Sequence, residues 1–205
     1  MTSRRLTLVA HASTAATAAA RFPDDEPLDA RGLAAAAAAR GGLARHARAH
    51  ASPAACCAQT AAALDLQCEP EPLLRDWELG RWRGQTLDEV AAREPAAVQA
   101  WLTEPDQAPH GGESLIELLT RAAGWLDTMH GDGHTVAVTH PAIIRGVLVA
   151  VLGAPPQAFW RIDIAPLTST VLRGGPPRWT VRSTAAPLSV SFGPSAASEA
   201  ASPRA

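Results

Sequence analysis

At 205 residues, the chain is long enough for one good-sized domain with a real core. Its formal net charge of −2 argues against nucleic acid or an anionic membrane surface as a partner. All 18 lysine-or-arginine positions are arginine, and alanine is heavily over-used. That bias fits GC-rich coding and makes any single alanine weak evidence of selection.

The opening MTSRRLTLVAHAST is a poor signal peptide, because its apolar run is short and His11 interrupts it. The run from Ala34 to Ala39 is too short and too weakly apolar to span a membrane. Cys56, Cys57 and Cys68 form an odd set without CxxC spacing, which speaks against a disulfide framework. A soluble, reduced, cytoplasmic protein is the expectation.

Arg5 to Ala10 is rich in Leu and Val, as in a parallel-sheet strand buried on both faces. RFPDDEPLDARG, residues 21–32, reads as a loop in which Asp29 can cap the next helix. Leu33 to Leu43 is helical by propensity. A short strand is expected near Ala47–Ser52, then a helix after Pro53 through AACCAQTAAAL. Prolines make residues 68–76 extended. GRWRGQ is a loop. Thr86 and Glu89 form a capping box for TLDEVAARE. PAAVQAWLTEP is a short helix, and ESLIELLTRAAGWLDTM is a long amphipathic one. HTVAVTH is a second buried-strand signal, followed by a helix from Pro141 to about Gly153. Two edge-like strands flank the GGPP turn within residues 166–183. The order of elements predicts a three-layer α/β/α sandwich with a mostly parallel central sheet. Its domain covers residues 1–184, with a disordered Ser/Ala/Pro-rich tail over 185–205.

Two of these strands end on a histidine, His11 and His140. Ligands of open α/β sheets sit beyond the C-terminal strand ends, so the two rings can share one site. Either alone reads equally well as a boundary histidine.

LTLVAHAST, EPLDARGLAAA, ASPAACCAQTAAAL, LLRDWELGRWRGQTLDEV, HGGESLIEL and VAVTHPAIIRGVL resemble, in order, six segments of the histidine phosphatase superfamily, the phosphoglycerate-mutase-like family. The resemblance implies that fold. It also implies a chemistry in which His11 attacks phosphorus to form a phosphohistidine. An acid protonates the leaving oxygen, and arginines with the second histidine, His140, hold the phosphoryl oxygens. Asp76 falls at the acid position, where glutamate is usual. Aspartate reaches less far, so Glu78 or Glu113 are alternatives. Each of the three is also readable as an ordinary solvated or helix-terminal carboxylate. Thr14, Thr17, Arg21, Arg83 and Glu113 are the candidate substrate-binding residues.

The departures matter as much. Ala10 and Cys56 stand where the resemblance implies the two pocket arginines, and Thr17 replaces a frequent asparagine. Removing one transition-state donor typically costs about 10²–10³ in rate. Arg21 and Arg83 could compensate, though both are also readable as solvated surface residues. Three functions follow. The first is a degenerate pocket, weak or inactive as a phosphomonoesterase, that acts by ligand binding. The second is an active phosphomonoesterase or phosphotransferase with a compensating arginine. The third is a transition-metal-binding protein using His11, His140 and Cys56, with Asp76 beside them. The main reading has no cofactor and no metal. Its partner is a small phosphorylated molecule or other small anion, with no nucleic acid and no membrane. Trp77 and Trp82 are read either as a substrate mouth or as core.

Overall fold

The computed structural model describes residues 4–188. In chain order it contains β1 (Arg5–Ala10), α1 (Ala15–Ala18), α2 (Ala30–Ala38), β2 (Arg48–Ala51), α3 (Ala55–Ala63), β3 (Glu69–Pro70), α4 (Leu87–Arg93) and α5 (Pro95–Thr103). There follow α6 (Leu115–Asp127), β4 (His134–Thr139), α7 (Pro141–Leu152), β5 (Thr168–Gly175) and β6 (Arg178–Pro187). Short 3-10 turns lie at Pro72–Leu74, Gly80–Trp82 and Pro156–Arg161.

The strands form one sheet in the order β3-β2-β4-β1-β5-β6. The first four are parallel, and β5 and β6 are antiparallel. The lack of polar alternation in β1 and β4 has its cause here, because both faces of the sheet are covered. Leu6, Leu8, Ala10 and Ala137 pack toward α6 and α7, with Leu118, Trp125, Ile144 and Leu148. Val9, Val136 and Val138 pack the other way, against α2 and α3, with Ala36, Cys57 and Ala61. This is the three-layer α/β/α sandwich.

The helix signals act as their chemistry predicts. Asp29 caps α2 through the Gly32 amide, and Thr86–Glu89 and Ser114–Glu117 form reciprocal capping boxes. Pro141 opens α7, and Gly153, at φ 57°, closes it in the left-handed region. The differences are local. The alanine-rich helix starts at Ala30 and stops at Ala38. The stretch expected to be extended holds β3 and a 3-10 turn. β5 is an interior strand between β1 and β6, not an edge. β6 continues to Pro187, past the boundary expected at residue 184, because it keeps pairing with β5 as far as Thr168. The rest of the expected tail, residues 189–205, lies outside the described residues.

Candidate active site

Ala10 and Thr139 are register partners at the ends of β1 and β4. The ladder continues one step further, with the His11 amide donating to the Thr139 carbonyl at 2.9 Å. His11 and His140 therefore leave adjacent strands side by side. Their ring centroids are 5.2 Å apart at an angle of 66°, and both residues are buried.

The loop after His11 is held from several sides. Nδ1 of His11 donates to the Ala12 carbonyl at 2.8 Å. The Ala12 amide donates to Thr60 on α3 at 3.0 Å, and the Ser13 hydroxyl donates to Asp29 at 2.7 Å. Gly32 lets α2 approach this loop, since a Cβ there would lie 2.1 Å from the Ser13 carbonyl oxygen.

His140 shares a hydrogen bond between Nε2 and Ser52 Oγ at 2.9 Å, with the Cys57 sulfur 3.5 Å from the same nitrogen. Its Nδ1 is 3.2 Å from Asp76 Oδ2, an ion-pair distance, but it makes no aligned hydrogen bond. Burial would raise the Asp76 carboxyl, yet the His140 ring and the Trp77 amide hold it below its usual range. His11, His140 and Asp76 thus lie together beyond the strand ends.

Cys56, in the first turn of α3, completes the cluster. One donor atom from each of His11, Cys56 and His140 lies within 4.8 Å of the others. A hydrogen bond from the Cys57 thiol lowers the Cys56 thiol to about 5, with His11 adding to that effect against burial. Burial would lower His11, but the Cys56 sulfur, the Ala12 carbonyl and Asp76 outweigh it and raise the ring to about 9. Burial pushes Cys57 up, and Cys68 up to about 11. In chelator-treated protein, iodoacetamide should therefore label Cys56 first, with a rate that levels off above about pH 5. The His11→Ala variant should move that inflection upward. Equal labelling of Cys56 and Cys68 at pH 7, read by peptide mass spectrometry, would contradict the pairing.

These groups floor a cavity of about 490 Å³, lined also by Thr14, Thr17, Arg21, Glu26, Arg83 and Arg145. Thr14 donates to Glu26 at 2.7 Å and caps α1 together with Thr17. The two candidate compensating arginines are engaged elsewhere. Arg21 donates to the Gly84 carbonyl at 3.1 Å. Arg83 pairs with Asp24 at 3.1 Å and with Glu78 at 3.8 Å. Glu78 lines the cavity beside it.

Glu113 is not among the residues lining this cavity. Its carboxylate accepts two hydrogen bonds from Arg121, at 2.8 and 2.6 Å, and both side chains are buried. That fork makes Glu113 a structural anchor, which corrects its reading as an acid or substrate ligand.

The upper wall is aromatic. Trp77, Trp101, Trp160, Phe22 and Phe159 line it. Trp77 sits 5.3 Å from Trp101 and 5.8 Å from Trp160, ring to ring. Of the two tryptophans singled out from sequence, Trp77 faces the cavity and Trp82 is fully buried core. Sequence reasoning missed Trp101 and Trp160, because an aromatic on an apolar helix face looks the same whether it borders a core or a cavity.

Comparison with known proteins agrees with this architecture. A glucosyl-3-phosphoglycerate phosphatase from Mycolicibacterium vanbaalenii is 37% identical over 93 residues, covering 40% of this chain and 41% of that protein. Phosphoserine phosphatase 1 of Hydrogenobacter thermophilus is 29% identical over 106 residues, covering 50% of each. The match thus spans half or less of these curated relatives' length. A mycobacterial glucosyl-3-phosphoglycerate phosphatase structure, in complex with VO3, superposes with a TM-score of 0.78 at 27% identity, over 89% of this chain and 99% of that one. Among the described residues no helix is long and apolar enough to cross a membrane. The model of the histidine phosphatase superfamily (branch 1) matches residues 6–186, and the chain belongs to that family.

Proposed function

We propose that this chain binds a small phosphorylated molecule, or another small anion, above His11 and turns phosphomonoesters over weakly or not at all. One observation carries the reading. A sulfur, Cys56, faces the two histidines, and a buried methyl, Ala10, ends β1; these are the positions at which the family resemblance implies phosphoryl-holding arginines. Neither side chain can donate a charge-assisted hydrogen bond to a phosphoryl group. Arg21 and Arg83 are already bound, to a carbonyl and to two carboxylates respectively. The aromatic wall favours a ligand that carries an apolar or ring-shaped part beyond its anionic end.

A second reading, an active phosphomonoesterase or phosphotransferase through a phosphohistidine at His11, has its own support. His11, His140 and Asp76 converge, and the relatives named above are phosphatases. Hydrolysis of p-nitrophenyl phosphate from pH 5 to 9 separates the two. Wild-type turnover should exceed that of His11→Ala by a few-fold at most. Tryptophan fluorescence, reporting from Trp77, Trp101 and Trp160, should still respond to the aryl phosphate. Turnover well above the variant's would establish the second reading instead.

A further inference from the structure

The donor set at the cavity floor is the chemistry of a transition-metal site. Among the described residues, His11, Cys56 and His140 are the one group of three such side chains clustered for metal binding, and all three are buried. Zinc bonds of about 2.0–2.1 Å to nitrogen and about 2.3 Å to sulfur put tetrahedral donors roughly 3.3–3.6 Å apart. A spread within 4.8 Å needs only a modest contraction to reach that.

The surrounding hydrogen bonds already match those of metal-bound histidines. Such rings characteristically donate their second N–H to a carbonyl or another oxygen, which fixes the orientation of the ring. Nδ1 of His11 donates to the Ala12 carbonyl, which leaves Nε2 for a ligand. Nε2 of His140 is held by Ser52 Oγ, and its buried Nδ1 makes no hydrogen bond. That nitrogen, in ion-pair contact with Asp76 but in no aligned hydrogen bond, is a second place where a ligand would be accepted. It faces Asp76 at 3.2 Å, so a carboxylate stands beside it to balance added positive charge.

We propose that His11, Cys56 and His140 bind one divalent first-row transition ion of borderline softness, Zn²⁺ being the type, with a fourth position open to the cavity beside Asp76. On binding, the Cys56 sulfur coordinates as thiolate and His11 as neutral imidazole through Nε2, so the one proton that this pair holds leaves to solvent. Nothing is oxidised or reduced. The inference rests on the binding reading above and deepens it. The ion supplies the positive charge that Ala10 and Cys56 withhold, and an anion completes its coordination.

Chelator-treated protein titrated with Co²⁺ tests this directly, because cobalt reports its ligands in its spectrum. One equivalent should give a thiolate-to-cobalt charge-transfer band and the intense visible bands of a tetrahedral ion. Zn²⁺ should displace it. Cys56→Ser should abolish the charge-transfer band and weaken Zn²⁺ by more than about 100-fold, beyond the loss typical of an outer-sphere change. Cys57→Ser should keep the band. A weak octahedral spectrum in wild type overturns the site whether or not any variant folds. So does a charge-transfer band that survives Cys56→Ser. His140→Gln, checked for folding by thermal melting, must also lose tetrahedral character. The phosphatase assay remains separate. Turnover by metal-free protein well above that of His11→Ala overturns the binding reading but leaves the titration to stand by itself. Turnover that appears only with Zn²⁺ supports the site and overturns the binding-only reading.

Discussion

Cys56→Arg is expected to raise phosphomonoester turnover by about 10²–10³, the usual worth of one well-placed transition-state donor. The side chain at this position enters the cavity in the first turn of α3, facing both histidines. A guanidinium there brings a fork of donors toward the place a phosphoryl group would occupy above His11. The substitution also removes the sulfur that holds His11 protonated. Without it, burial favours the neutral ring, and a larger fraction of His11 carries a free lone pair at pH 7. The two effects act in the same direction. The measurement is kcat/KM for p-nitrophenyl phosphate in the single variant and in the Cys56→Arg, His11→Ala double variant. A gain that disappears in the double variant confirms the route through His11. No gain in a folded Cys56→Arg protein would mean that the missing arginine is not what limits the site.

A large stability loss is expected at Arg121, far from any chemistry in sequence terms. Its guanidinium holds both oxygens of Glu113 and donates to the carbonyls of Leu73, Arg75 and Asp76. One side chain thus anchors α6 to the loop that carries Asp76. Removing one member of a buried pair leaves the other charge uncompensated, at a cost of about 3–5 kcal/mol. For a chain of this size each kcal/mol moves Tm by about 2–4 °C, so Arg121→Ala should melt roughly 6–20 °C lower. Arg75 also lies 3.7 Å from Glu113, but it is half exposed and is not expected to substitute for the fork. A shift of only a degree or two would show that water already compensates the pair.

How much of this was legible beforehand depended on the range of the interaction. The two histidines were readable because a buried strand shows itself within six residues, and the residue after it lies beyond the C-terminal end of the sheet. Cys56 was readable because it fills one position of a recognisable segment. The roles of the charged residues were not. Arg83 is occupied by Asp24, 59 positions earlier, and nothing local to either residue announces the meeting. Glu113 differs, since it lies just before the Ser114 cap of α6 and Arg121 follows only eight residues later on that helix. A buried arginine on an otherwise apolar helix face was the available signal. The aromatic wall was invisible for another reason. Periodicity identifies the inward face of a helix but does not distinguish a filled interior from an empty one.

Ser52, His11 and His140 each follow the last residue of three neighbouring parallel strands, β2, β1 and β4. Their separations are therefore fixed by interstrand spacing, about 4.8 Å per step, and not by loop conformation. Cys56 and Asp76, by contrast, sit on a helix turn and a loop, where side chains can be exchanged without disturbing the ladder. A lineage built on this sheet can keep two imidazoles at a constant distance while substituting the groups around them. With the ion proposed above, phosphoryl transfer and metal capture would be separated by substitutions at such positions alone, with no new fold between them.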